Sequence, residues 1–420
     1  MARSISRTPA APAMARLRDG MARAAGRMLA ELREPAGFVP ALTAADQVVG
    51  DVIERAAADL DEPPLFREAL DADEAAWCDL LATAPAGDFL QARAWGSVAA
   101  FDGEPSRRFL LVEEDEVVAL VAVQHRLVHG QLVWYAPHGP VLDYAHPCAA
   151  ERLAAVIDGL RAAGRRAGAV AVRLEPRIEQ GSPAAALFEG LGLRPVAHTA
   201  QVGQTQLLDI GADESVVFAA TDAPTRRKIR RAARDGVRVA VVTDAGATDA
   251  VDRLAQLVRA TESRSGVGGR GIDRIGVAWR AFASRGQAAI VEAWIGDQVM
   301  ASGMVVVVGD RSFYLFSGSL REAPGQPKSF PSYAMQWEMI RVARSLGART
   351  HDLWGIAPPG AGPTHRWHGI GTFKRSFGGR SVVWAGSWDL VLRPQLYRLR
   401  SAVATARELR GLRARLQRAA

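Results

Sequence analysis

Ala288-Ala289-Ile290-Val291-Glu292-Ala293-Trp294-Ile295 is followed by Gly296-Asp297 and then by Gln298-Val299-Met300-Ala301-Ser302-Gly303-Met304-Val305-Val306-Val307-Val308. Two runs rich in β-branched and apolar residues around a Gly-Asp pair read as a β-hairpin. A third run, 312–317, follows Gly309-Asp310 and completes a meander. The same block stands about 180 residues earlier, as runs 108–113, 117–128 and 131–135 split by Glu114-Asp115-Glu116 and His129-Gly130. A repeat of that size is the first clue to architecture.

Each meander leads into a helix and one more strand. In the first copy, 151–164 carries Leu153, Val156, Ile157 and Leu160 at helical spacing, and 169–174 reads as a strand. In the second, 333–347 carries Met335, Met339, Ile340 and Val342, and 351–356 is the strand. Gly164 and Gly347 are expected just past the helix ends, where a left-handed residue closes the last turn. Meander, crossover helix and parallel strand form an α+β layer. Two such layers in tandem imply two similar domains and a cleft between them for substrate.

Bulk composition narrows the function. At 420 residues the chain exceeds one hydrophobic core. Its 49% hydrophobic and 23% charged residues are those of a globular protein. Cys78 and Cys148 belong to no C-x-x-C pair, which argues against a disulfide framework or a zinc site. The net charge of +7 and pI near 10 point to an anionic partner: RNA, a phosphorylated substrate or a membrane surface. The longest apolar run, near 299–308, falls short of the roughly 20 residues of a membrane span. Residues 1–40 are Arg- and Ala-rich without an apolar h-region, so they read as a disordered leader and not as a signal peptide.

Gly371-Thr372-Phe373-Lys374-Arg375-Ser376-Phe377-Gly378-Gly379 sets two phenylalanines around a Lys-Arg pair and ends on two glycines. On its residues alone it is an amphipathic turn with packed rings and solvated cations. Phe-Lys-x-x-Phe-Gly-Gly also resembles a signature of the FemABX family, within the wider GNAT-type acyltransferase fold. Further stretches are similar to that family's motifs and stand in its order between 88 and 392. They are Phe89-Leu90-Gln91 with Trp95, Tyr135-Ala136-Pro137-His138-Gly139-Pro140 with Asp143, and the basic helix from Thr225-Arg226-Arg227-Lys228 to Gly236-Val237. Thr261-Glu262-Ser263-Arg264 and His351-Asp352-Leu353-Trp354-Gly355-Ile356 complete the set. His138 replaces an Arg usual in the family, and Ala99 stands where some members carry a phosphate-holding Lys. No long coiled-coil insertion lies between Gly236 and Gln287, so the chain resembles the armless form.

The resemblance implies an α+β fold of two tandem GNAT-like domains. These are expected at 41–200, with a returning strand at 381–392, and at 201–378. It further implies an aminoacyltransferase that carries an amino acid from aminoacyl-tRNA to the stem-peptide amine of a peptidoglycan precursor, lipid II or UDP-MurNAc-pentapeptide. Such an enzyme works in the cytoplasm, in peripheral contact with the inner membrane face, and needs no cofactor and no metal. By the same resemblance Lys374 is the catalytic residue, stabilising the tetrahedral oxyanion, and Phe373 anchors it. Asp143 is a candidate base by position, with a turn-capping role as its competitor. Arg227 and Thr225 resemble residues that contact the precursor's phosphates, and Gln91, Tyr135, Tyr314 and Asp352 complete the expected substrate-binding set. Two other readings stay open: a CoA-dependent N-acyltransferase on the same fold, and a non-catalytic RNA- or membrane-surface-binding protein.

Other features carry less. His365 and His368 share a helical face, but the sequence suggests no third metal ligand. Arg264-Ser265-Gly266-Val267-Gly268-Gly269 follows a helix and no strand, unlike a pyrophosphate loop. The stretch 394–420 is a basic amphipathic helix suited to a membrane interface or to tRNA.

Overall fold

The computed structural model describes residues 64–400 apart from 198, 266–271, 322–327 and 359. The leader 1–40, the glycine-rich loop 266–269 and the terminal helix beyond 400 lie outside these residues.

The first sheet begins with β1 (Leu65–Glu68) and the meander β2 (Ser106–Glu113), β3 (Glu116–Val128) and β4 (Gln131–His138). Both meander turns use residues at positive φ, Glu114 and Asp115, then His129 and Gly130. That backbone twist matches the flanking strands. A short β5 (Val141–Leu142) adds to β3. Between β1 and β2 come the helices α1 (Glu74–Thr83) and α2 (Arg93–Phe101). The crossover helix α3 (Ala149–Arg166) returns the chain to β6 (Ala171–Pro176), parallel to β4. Gly164 lies inside α3, and Gly168, at φ 79°, follows its end instead. Gly164 is small for another reason, because a Cβ there would meet Leu392 at 2.6 Å. The one-turn α4 (Pro183–Ala186) and β7 (Arg194–Val196) close this part of the chain.

The second sheet repeats the scheme. β8 (Gln204–Asp209) enters it first, followed by α5 (Glu214–Ala220), α6 (Ala223–Arg234) and β9 (Arg238–Val242). Two helices, α7 (Thr248–Ser265) and α8 (Ile272–Ala283), pack beside each other, with no coiled-coil arm among the described residues. The meander β10 (Ala288–Ile295), β11 (Gln298–Val308) and β12 (Arg311–Ser319) leads through α9 (Pro331–Ser345) to β13 (Thr350–Gly355), parallel to β12. The chain ends with α10 (His368–Arg375), β14 (Arg380–Val383) and β15 (Ser387–Val391). β10 and β11 are buried almost throughout because α9 and α7 cover the two faces of this sheet.

Strand orders are β1-β2-β3-β4-β6-β15-β7 and β14-β8-β13-β12-β11-β10-β9. The stretch expected to return whole to the first domain, 381–392, divides. β14 pairs with β8 in the second sheet, and β15 pairs with β6 in the first. The place beside β6 is therefore filled from the chain's far end, and the equivalent place beside β13 from the linker strand β8. The two layers share one apolar core. Phe89 stacks near Phe313 and Trp354 at 4.9 and 5.3 Å, among Trp77, Leu110, Trp279 and Met304.

Candidate active site

Lys374 lies on α10, and its amine is buried. Nζ donates a 2.8 Å hydrogen bond to the Gly355 carbonyl oxygen and lies 5.5 Å from the Tyr314 ring centre. Its place follows from how β12 and β13 separate. These strands pair only at Arg311–Thr350, Ser312–His351 and Phe313–Asp352. The equivalent pair in the first sheet, β4 and β6, stays joined over six positions, from Val133–Ala171 to His138–Pro176. Past Phe313 two irregularities part the second pair. β12 bulges at Leu315, where the register with β11 slips, and β13 slips against β8 between Asp352 and Gly355. Trp354 takes up that second slip at φ 63°.

The opening is a cavity of about 430 Å³. Its lining includes Tyr314, Phe316, Met335, Ile370, Phe373 and Lys374, with Thr261, Glu262 and Arg264 of α7 on the polar side. Thr261 Oγ1 accepts from the Ser319 amide at 2.9 Å, and Arg264 donates to the Ser319 carbonyl at 3.0 Å, so the Thr-x-x-Arg motif closes the end of β12. All of these residues belong to the second layer.

Burial lowers the Lys374 pKa from 10.5 to about 7, while the nearby Asp352 charge pulls the other way. Burial also raises the Tyr314 hydroxyl to about 12. His351 is held down to about 3 by burial and by Lys374, so its ring is neutral between Ser312 and Gln336. Phe373 and Phe377 anchor α10 by edge-to-face packing on each other at 5.2 Å, and Tyr333 meets both rings. The two terminal glycines of this motif are sterically required. A Cβ on Gly378 would lie 2.5 Å from the Ala220 oxygen, and one on Gly379 2.0 Å from the Leu207 oxygen, both at positive φ.

The sequence-predicted residues divide among several places. Lys374, Phe373 and Tyr314 line one cavity. Asp352 lies behind it, buried, with Oδ1 accepting from Thr205 and from the Trp354 amide. Arg227 is exposed on α6, in a separate groove of about 680 Å³ with Lys228, Arg230, Arg231, Arg234 and Phe330. Thr225 lies in the first turn of the same helix, on its buried face. Gln91 is also fully buried. Its amide donates to the Pro137 and Ala122 carbonyls and accepts from the Ala122 amide, which ties β3 to the turn after β4. Tyr135 donates to Glu175 at 2.8 Å, and Glu175 holds the linker amides of Ala200 and Gln201. Asp143 accepts from the Ala145 amide and caps its turn, and it is absent from the cavity lining.

Arg177 escaped the sequence reading. It is buried at the seam, 3.2 Å from Asp352 and 3.3 Å from Asp88. No local pattern marks it, since its partners lie far off in the chain. His365 Nδ1 accepts from the Trp367 amide, and no group of three or more metal-ligating side chains gathers among the described residues. No described helix is long and apolar enough to cross a membrane. Helical residues 394–400 begin the terminal segment, where Tyr397 is buried and donates to Asp389 of β15.

The fold is that of a tandem GNAT-type acyltransferase. The acetyltransferase (GNAT) domain family matches residues 222–366 and the FemAB family residues 79–274. The lipid II:glycine glycyltransferase of Staphylococcus saprophyticus is 21% identical, covering 75% of this chain and 91% of its own. That of Staphylococcus haemolyticus is 20% identical, with 75% and 90% covered. The crystal structure of FemX superposes with a TM-score of 0.71 at 18% identity, over 80% of this chain and 99% of FemX. The chain is thus similar to the FemAB family over residues 79–274 and shares its fold with FemX.

Proposed function

We propose that the protein is an aminoacyltransferase that moves an amino acid from aminoacyl-tRNA to the stem-peptide amine of a peptidoglycan precursor. The observation that carries this reading is the buried Lys374 amine, poised near neutrality on the floor of a cavity between parted strands. Transfer from an ester to an amine requires loss of a proton from the attacking nitrogen and stabilisation of a tetrahedral oxyanion. An amine with a pKa near 7 can take up the first and then, as an ammonium, serve the second. An arginine could do only the latter, because its guanidinium does not lose its proton. The chain has only three lysines, Lys228, Lys328 and Lys374, and one of them lies here.

The bond from the amine nitrogen to the acyl carbon forms first, giving the oxyanion, and the ester C–O bond breaks as the oxyanion collapses. The ribose hydroxyl leaves with a proton that Lys374 can return. Glu262 is the one carboxylate among the described lining residues and suits the donor's α-ammonium. The cationic α6 groove, with Arg227, suits the acceptor's phosphates. The glycyltransferase relatives support a peptidoglycan precursor as acceptor, lipid II or its soluble nucleotide form. A lipid-linked acceptor would bring the enzyme to the inner membrane face. The test is transfer of label from charged tRNA to either precursor, with acetyl-CoA as the competing donor. Acetyl transfer alone would favour the CoA-dependent reading.

A further inference from the structure

We propose that Arg177, which follows β6 of the first sheet, is a positioning residue for Lys374: it clamps Asp352 and thereby holds the bend in β13 that turns the Gly355 carbonyl onto the lysine amine. The inference rests on the reading that Lys374 performs the transfer.

The chain of contacts is short. Arg177 Nη2 donates to Asp352 Oδ2 at 3.2 Å. Asp352 Oδ1 accepts from the amide of Trp354, the residue at positive φ, and from Thr205 of β8. One residue beyond Trp354, the Gly355 carbonyl accepts from Lys374 Nζ. The guanidinium itself is fixed on the other side. It lies 4.9 Å from the Trp384 ring centre and 3.3 Å from Asp88, which in turn lies 2.9 Å from His138 Nδ1. Arg177, Asp88, His138 and Asp352 are all buried. The charges of the arginine and the two aspartates therefore act through a medium that screens them weakly.

The cluster holds two carboxylates, Asp88 and Asp352, and two guanidiniums, because buried Arg311 also interacts with Arg177 and Asp88. The groups around Lys374 itself are Asp352 and neutral His351 on β13, Tyr314 on β12, Glu262 and Arg264 on α7, and exposed Arg375 on its own helix. Of these, Asp352 is the charge that favours the ammonium form, and Arg177 offsets it. Asp352 keeps its hydrogen bonds from Thr205 and from the Trp354 amide when Arg177 is removed. Losing the guanidinium then raises the lysine pKa. Losing Asp88 lowers it, because one negative charge disappears and Arg177 turns wholly to Asp352.

The test uses the full chain grown with [ε-13C]lysine, whose three lysines give three resonances to titrate. Lys374 is expected to titrate about one pH unit higher in Arg177→Gln and roughly half a unit lower in Asp88→Asn. In a transfer assay, Arg177→Gln should lose about fivefold in kcat at pH 7, with KM for the acceptor unchanged, and recover above pH 8. Water entering a loosened site would raise the lysine pKa in both variants, so shifts of the same sign overturn the proposal. Unmoved titration in a folded Arg177→Gln overturns it too. If Arg177→Gln does not fold, a Lys374 titration in Asp88→Asn that stays put or rises has the same force. The resonance shifts are read without substrate. Opposite shifts in a protein that transfers nothing would leave the clamp standing and remove the transferase reading.

Discussion

Replacing Lys374 by methionine should abolish transfer and stabilise the protein at acid pH. The fall in the lysine pKa from 10.5 to about 7 amounts to about 5 kcal/mol of preference for the neutral amine, at about 1.4 kcal/mol per pH unit. The sign follows from proton counts. Between pH 7 and 10.5 the unfolded chain binds a proton that the folded chain does not, so wild-type stability rises with pH across that window. Below pH 7 both states carry the proton, and the folded state bears the full cost of a buried cation. Methionine removes that cost. It also forfeits the bond to Gly355, worth about 1 kcal/mol, and the site relaxes in part, so a gain of roughly 2 kcal/mol is expected at pH 6. That advantage should shrink by roughly 2–3 kcal/mol by pH 9, where the folded wild type is neutral at this position. Urea unfolding of both proteins at pH 6, 7, 8 and 9 measures the difference. A stability difference that does not change with pH would refute a desolvated, titrating Lys374.

Three further outcomes are expected. Arg227→Ala should raise KM for a phosphate-bearing acceptor about tenfold at unchanged kcat, read from initial rates over acceptor concentration; an unchanged KM would put the phosphates elsewhere. Glu262→Gln should raise KM for an aminoacyl donor about tenfold, and equal use of donors with free and acetylated α-amines by the wild type would contradict its assignment. Gln91→Ala should cost about 3 kcal/mol in urea unfolding, since it strands buried groups of Ala122 and Pro137, while the folded fraction keeps its kcat.

The meanders, the two crossover helices and the parallel strands were legible because their signals are local. Hairpin pairs such as Gly296-Asp297 and apolar spacing such as Leu153, Val156, Ile157 and Leu160 depend on no distant residue. Where strands go is a long-range matter, and there the sequence misled. Residues 381–392 look like one strand, yet they serve two sheets, because β8 and β6 each offer an open edge. Gly164 was misplaced for a similar reason, since its constraint is Leu392, far along the chain. The Phe-Lys-x-x-Phe-Gly-Gly motif singles out Lys374, which with Phe373 lines one cavity. Motif membership could not say which way a polar side chain faces. Gln91, Tyr135, Thr225 and Asp352 point into protein, where their hydrogen bonds or burial serve the scaffold. Arg177 carries no motif at all, and only the packed seam reveals it.

The central claim is tested most directly by a transfer assay with the purified full chain. Radiolabelled aminoacyl-tRNA is supplied with lipid II or with UDP-MurNAc-pentapeptide, with and without prior RNase treatment, beside the Lys374→Met variant. The expected result is label on the stem-peptide amine of one acceptor, lost after RNase and lost in the variant. Label transfer that persists undiminished in Lys374→Met, or a wild-type enzyme that uses acetyl-CoA and ignores aminoacyl-tRNA, would contradict it.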